Sequence, residues 1–119
     1  MDIKQILPAI ISALILSTPI LAFDFPKTQV TIMGREQGNE IIELQSTRFN
    51  LEVHSLNQLK SVKLKIDDNK PRTICRNNCW DFKARKPIRI GLHNIKIILE
   101  NYESQTEEHD FIINVRKNQ

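Results

Sequence analysis

The sequence predicts an all-β fold: an antiparallel β-sandwich of about seven strands, preceded by an N-terminal signal peptide helix. Three observations carry this. Apolar residues after position 23 recur mainly with period two. Polar turn-formers interrupt them at roughly the 8–12-residue spacing of sandwich strands. No stretch there sustains the i, i+3, i+4 apolar pattern of a helix. The chain has 119 residues, 40% hydrophobic and 26% charged, which fits one globular domain and not a disordered segment. Glycine occurs only 3 times, so no Gly-rich phosphate loop is available.

Residues 1–22 read as the signal peptide. Lys4 supplies a positive charge, and no charge follows from Ile6 to Phe23. Ile10, Ile11, Leu14, Ile15 and Leu16 form the apolar centre, Pro19 breaks the helix, and Ala22 offers a small-residue exit. Cleavage there leaves residues 23–119 as the sandwich domain. The alternative is an uncleaved anchor, the one membrane contact expected. Pro8 and Pro19 leave that apolar run short for a span. No cysteine lies near the exit, which argues against a lipid anchor. The expected location is secreted or periplasmic.

Four strands stand out. Phe49, Leu51 and Val53 alternate with Asn50, Glu52 and His54; Val62, Leu64 and Ile66 alternate with Lys63, Lys65 and Asp67. Ile95, Ile97 and Leu99 alternate with Asn94, Lys96 and Glu100; Phe111, Ile113 and Val115 alternate with Asp110, Asn114 and Arg116. Each predicts one face on a core and one in water. Ile98 and Ile112 break the pattern on the solvent side. Weaker strands are expected at 29–33, 40–44, around Ile74, and at 80–84. Turns are expected at 55–58, 67–71 and 101–106, where Ser, Asn, Asp, Pro and other polar residues cluster.

Cys75 and Cys79 are the only cysteines. In an exported chain they predict a disulfide across Arg76-Asn77-Asn78, an Asn pair suited to a turn. A loop that short gains about 2 kcal/mol in the chain-entropy model, enough to pin a loop but not to hold a fold. A metal or redox role is the alternative, but His54, His93 and His109 are scattered and the spacing is not Cys-x-x-Cys.

Val62-Lys63-Leu64-Lys65-Ile66-Asp67-Asp68-Asn69, then Gly91-Leu92-His93-Asn94-Ile95-Lys96-Ile97, then Asp110-Phe111-Ile112-Ile113-Asn114-Val115, resembles bacterial immunoglobulin-like domains. The resemblance spans 29–115 and is strongest from Val62 onward. Asn69 stands where such domains commonly have Gly, and the usual Pro before Gly91 is missing. The resemblance implies a binding, spacer or assembly module and carries no catalytic residue.

No catalytic residue, cofactor or metal site is expected. His93 shares the inward parity of Ile95 and Ile97 and reads as a structural histidine; His54 and His109 read as surface residues. Glu107, Glu108 and Asp110 read as a solvated turn, and Asp67-Asp68 as turn formers. No nucleophile elbow surrounds any serine. The net charge is only +3, but from Lys60 to Lys96 there are 11 basic residues against 3 acidic ones. In an immunoglobulin-like sandwich Lys63, Lys65 and Lys96 would share one outer sheet face, with Arg116 nearby and Ile98 and Ile112 as an apolar spot. These six are the expected binding residues. The alternative is a solvated sheet surface that discourages edge pairing. The expected partner is a protein or an acidic envelope polymer. Nucleic acid is not expected, since the basic stretch offers only Trp80 and Phe82 for stacking. A structural subunit of a surface filament or envelope complex is the alternative function.

Overall fold

The computed structural model describes residues 28–56 and 58–116. The expected signal peptide, 1–22, lies outside the described residues. Among the described residues eight strands follow in order: β1 (Gln29–Ile32), β2 (Ile41–Leu44), β3 (Arg48–His54), β4 (Leu59–Ile66), β5 (Arg72–Arg76), β6 (Asp81–Pro87), β7 (Gly91–Asn101) and β8 (Thr106–Val115). They form a three-stranded sheet, β1-β3-β6, and a five-stranded sheet, β2-β8-β7-β4-β5.

The alternating segments build the core between the sheets. Phe49, Leu51 and Val53 of β3 face Ile95, Ile97 and Leu99 of β7 and Phe111, Ile113 and Val115 of β8, and all nine are buried. Val30, Ile32, Ile42 and Leu44 close the sides. Each such side chain contributes about 1.5–3 kcal/mol by leaving water.

The expectation of purely antiparallel pairing is corrected at β2. Ile41–Leu44 runs parallel to Ile112–Val115. After β1 the chain turns at Met33 and Gly34, both at positive φ, and crosses to the other sheet. It then lies along β8 in the same direction, so Ile42 and Leu44 enter the shared core while β2 covers the β8 edge.

Strand β4 starts earlier than alternation predicts. Irregularities between Leu59 and Ser61, and between Val62 and Lys63, let Leu59, Ser61 and Val62 all be buried. Such shifts hide a strand from a period-two pattern. At the end of β4 the left-handed residue is Asp67 (φ 55), not Asn69. Gly91, which opens β7, has φ 127, a value only glycine adopts readily.

Candidate functional site

The outer face of the five-stranded sheet carries the six residues singled out above. Lys65 stands opposite Lys96, and Lys96 opposite Asp110. Lys63 stands opposite Ile98, and Ile98 opposite Glu108. The lysines therefore share a face. Their charge does not accumulate, because β8 answers it: Lys96 Nζ lies 2.9 Å from Glu108 Oε1 and 3.8 Å from Asp110 Oδ1. The hydrogen bond to Glu108, then the nearby Asp110 charge, push the Lys96 ammonium above the usual lysine range. Arg116 Nε lies 3.1 Å from Glu43 Oε1. Lys63 and Lys65 make no ion pair among the described residues, although Lys65 lines a hollow with Asp67, Asp68 and Asp110, and Lys63 one with Glu100. Glu107 and Glu108, expected in a turn, are part of β8, together with Asp110 at the start of the expected last strand.

Ile98 and Ile112 do not meet as one spot. Ile112 pairs with Asn94 and with Ile41, on the far side of the Lys96–Asp110 row from Ile98. Both are half-buried; the exposed neighbours are Ile41 and Leu92. Ile112 therefore joins an apolar strip with Ile41, and Leu92 lies near it on β7.

His93 is the structural histidine expected from its parity. Its side chain is 14% exposed. Nδ1 lies 2.7 Å from Asp67 Oδ2, and Nε2 lies 2.8 Å from the Arg89 carbonyl oxygen. Both partners are acceptors, so the ring donates in both contacts when it carries two N–H groups. The Asn94 N–H donates to Asp67 Oδ1 at 2.9 Å, and the Asp67 N–H donates to the Asn94 carbonyl at 2.7 Å. These bonds lock the β4–β5 turn onto the start of β7. The His93 hydrogen bond, then that of Asn94, holds the Asp67 carboxyl below its ordinary range. His54 is half-exposed and bridges Glu52 and Asp81. His109, expected on the surface, is only 12% exposed and bonds Glu107. It shares the parity of Phe111 and so points inward.

The Cys75–Cys79 disulfide is formed. Asn77 and Asn78 both take left-handed φ, and Cys79 is fully buried. The loop is tied to β4 by Asn77 N–H to the Lys60 carbonyl (2.7 Å) and Cys79 N–H to the Leu59 carbonyl (3.1 Å). Trp80, beyond it, is 50% exposed and so is not a core residue.

A groove that sequence reasoning missed runs along one side of the sandwich. The chain crosses between sheets after β5, so β5 and β6 are edge strands flanking one seam. A cavity of about 490 Å³ there has Leu64, Ile66 and Ile74 as its apolar lining and Lys70, Arg72 and Lys86 around it. A second cavity, about 880 Å³, shares Ile66, Asn69, Arg72 and Pro87 with the first and adds Arg48, Arg89 and His93. Its one acid is Asp67, already engaged by His93 and Asn94. None of Arg48, Lys70, Arg72, Lys86 and Arg89 makes an ion pair among the described residues. The signal was the parity of Lys86, which matches Phe82 and Ala84 and turns it toward the sandwich. Lys83 and Arg85 point outward on the three-stranded sheet, so the basic run from Lys60 to Lys96 is divided among three surfaces.

Among the described residues no group of three or more His, Cys, Asp or Glu could hold a metal ion, and no helix is long and apolar enough to cross a membrane. No protein-family model matches the chain, and no curated protein matches it. Among solved structures it is similar to fibronectin(III)-like modules of Clostridium thermocellum CbhA, with 12% identity over 76% of this chain and 99% of that one, TM-score 0.51. It also matches the CARDB domain of the PF1109 protein of Pyrococcus furiosus, solved in complex with di-metal ions, with 14% identity over 79% of this chain and 98% of that one, TM-score 0.31. The two-sheet topology and the fibronectin(III)-like match give this chain an immunoglobulin-like β-sandwich fold.

Proposed function

We propose that the chain is an exported, non-enzymatic binding or assembly module that engages a protein partner or acidic envelope polymer through the outer face of its five-stranded sheet. One observation carries this reading. Lys63 and Lys65 stand side by side with no ion pair among the described residues, on the face that also exposes Ile41 and Leu92 around Ile112. Cations without an ion pair, on a face that also carries an apolar strip, suit a partner presenting both carboxylates and apolar groups. Lys96 and Arg116, paired with acids of this chain, contribute shape and hydrogen bonds more than net charge. The disulfide supports export, since such bonds persist in oxidising compartments. Fibronectin(III)-like architecture in a module of another protein supports a binding or spacer role by analogy of fold.

The test is affinity capture with the full chain and with the Lys63→Glu, Lys65→Glu double variant. A partner retained by the first, lost from the second, and released as salt rises supports the reading. Equal retention by both refutes it. The strip of Ile41, Leu92 and Ile112 also favours the alternative, a structural subunit of a surface filament or envelope complex. Light scattering decides that alternative: a monomer at high concentration removes it.

A further inference from the structure

We propose that the groove between β5 and β6 is a second binding site, distinct from the outer face, and that it takes an extended acidic strand of a partner protein. The chemistry is built into its walls. Leu64 is 7% exposed, and Ile66 and Ile74 pack half-buried against the core, so the lining accepts an apolar side chain. The cavity volume, about 490 Å³, lies in the range of ligand sites. Lys70, Arg72 and Lys86 surround that lining without an acid among the described residues. Lys86 is half-buried, on the inward parity of β6. A cation partly removed from water with no counter-charge is costly, and a carboxylate from an occupant relieves that cost.

The occupant's backbone is specified by the edge. Among the described residues strand β5 pairs with β4 alone, so its other side offers N–H and C=O groups for a further strand at the margin of the groove. An added strand can hydrogen-bond there. It would place an apolar residue in the cavity and, on the same face two positions to either side, acidic residues on Arg72 and Lys86. The second cavity prolongs the cationic surface past Arg72 to Arg48 and Arg89. The disulfide-closed loop at 75–79, tied to β4, fixes the opposite end, so the walls are pre-formed.

The experiment pans a random decapeptide display library against the full, disulfide-bonded chain and against its Arg72→Glu, Lys86→Glu variant. Expected enrichment is for peptides with one large apolar residue and Asp or Glu two positions from it. The best synthetic peptide should shift the amide resonances of Arg72–Arg76 and bind the double variant at least about tenfold more weakly. An Arg72→Gln, Lys86→Gln variant, whose remaining resonances report an intact fold, should lose affinity in the same direction. Lys63→Glu with Lys65→Glu should leave this peptide's affinity unchanged, which separates the groove from the outer face. Several outcomes overturn the proposal: no enrichment beyond that on the variant, a basic or neutral consensus, or shifts confined to β7 and β8. It also falls if dodecanoate binds the groove while no peptide does, which would mark a site for anionic amphiphiles.

Discussion

Replacing Asp67 by Asn tests the lock between the β4–β5 turn and β7. The substitution keeps the side-chain shape and an oxygen for the Asn94 N–H, but removes the negative charge facing His93. A hydrogen bond to a charged group contributes roughly 1.5–3 kcal/mol. Here the carboxylate is 40% exposed, so solvent screening reduces the charged part to about 1 kcal/mol. In a domain of this size about 1 kcal/mol corresponds to roughly 4–8 °C in melting temperature. Because the Asp67 carboxyl is held below its ordinary range, its contribution is complete above the unfolded-state value, 3.8, and is lost as pH falls through the folded-state value. At lower pH the protonated aspartic acid is as neutral as asparagine. Thermal unfolding of the full chain and Asp67→Asn, followed by circular dichroism from about pH 7 down to about pH 2, should show the variant melting lower near pH 6 and the gap closing in acid. A gap that persists unchanged at the acid end, or no gap near pH 6, refutes the assignment of this carboxylate as the charged partner of His93.

Two further outcomes test the framework that holds the surfaces. Ile97→Ala removes a fully buried side chain from the middle of β7 and should cost about 2–5 kcal/mol in urea unfolding, with the melting temperature falling accordingly. Cys75→Ala with Cys79→Ala opens the short loop and should cost about 2 kcal/mol, read as a lower midpoint in the same denaturant; an unchanged midpoint would show that the hydrogen bonds to β4 hold the loop without the covalent link.

The strands visible in the sequence are those whose two faces meet opposite environments. Phe49 to Val53, Ile95 to Leu99 and Phe111 to Val115 alternate because the core lies on one side of each and water on the other. The start of β4 was hidden, since the irregularities around Lys60 and Lys63 break the period without ending the strand. Strand β2 was readable as a strand but not as a parallel one. Four residues carry parity but no direction, and the crossing after Gly34 sets the direction. The shared face of Lys63, Lys65 and Lys96 followed from alternation; the neutralisation of Lys96 did not. Glu108 reads as part of a turn, whereas the β7–β8 register sets it and Asp110 beside Lys96.

The groove depends on topology more than on composition. A basic run in sequence says nothing about where its charges end up until the chain's crossing is known. Here the chain leaves one sheet after Arg76 and enters the other at Asp81, so Arg72 and Lys86, 14 positions apart, line one cavity. Cations at sheet edges keep proteins from pairing edge to edge at random, and β5 and β6 gain that protection. Protection and selective binding are compatible on one edge. A charge that repels neutral or basic strands, by leaving itself unpaired and partly desolvated, rewards a strand that brings a carboxylate. If Arg72 and Lys86 only protected the edges, their conversion to glutamine would promote self-association and leave acidic peptides no site to lose. If they select a partner, the same conversion weakens acidic-peptide binding while the amides of Arg72–Arg76 cease to respond.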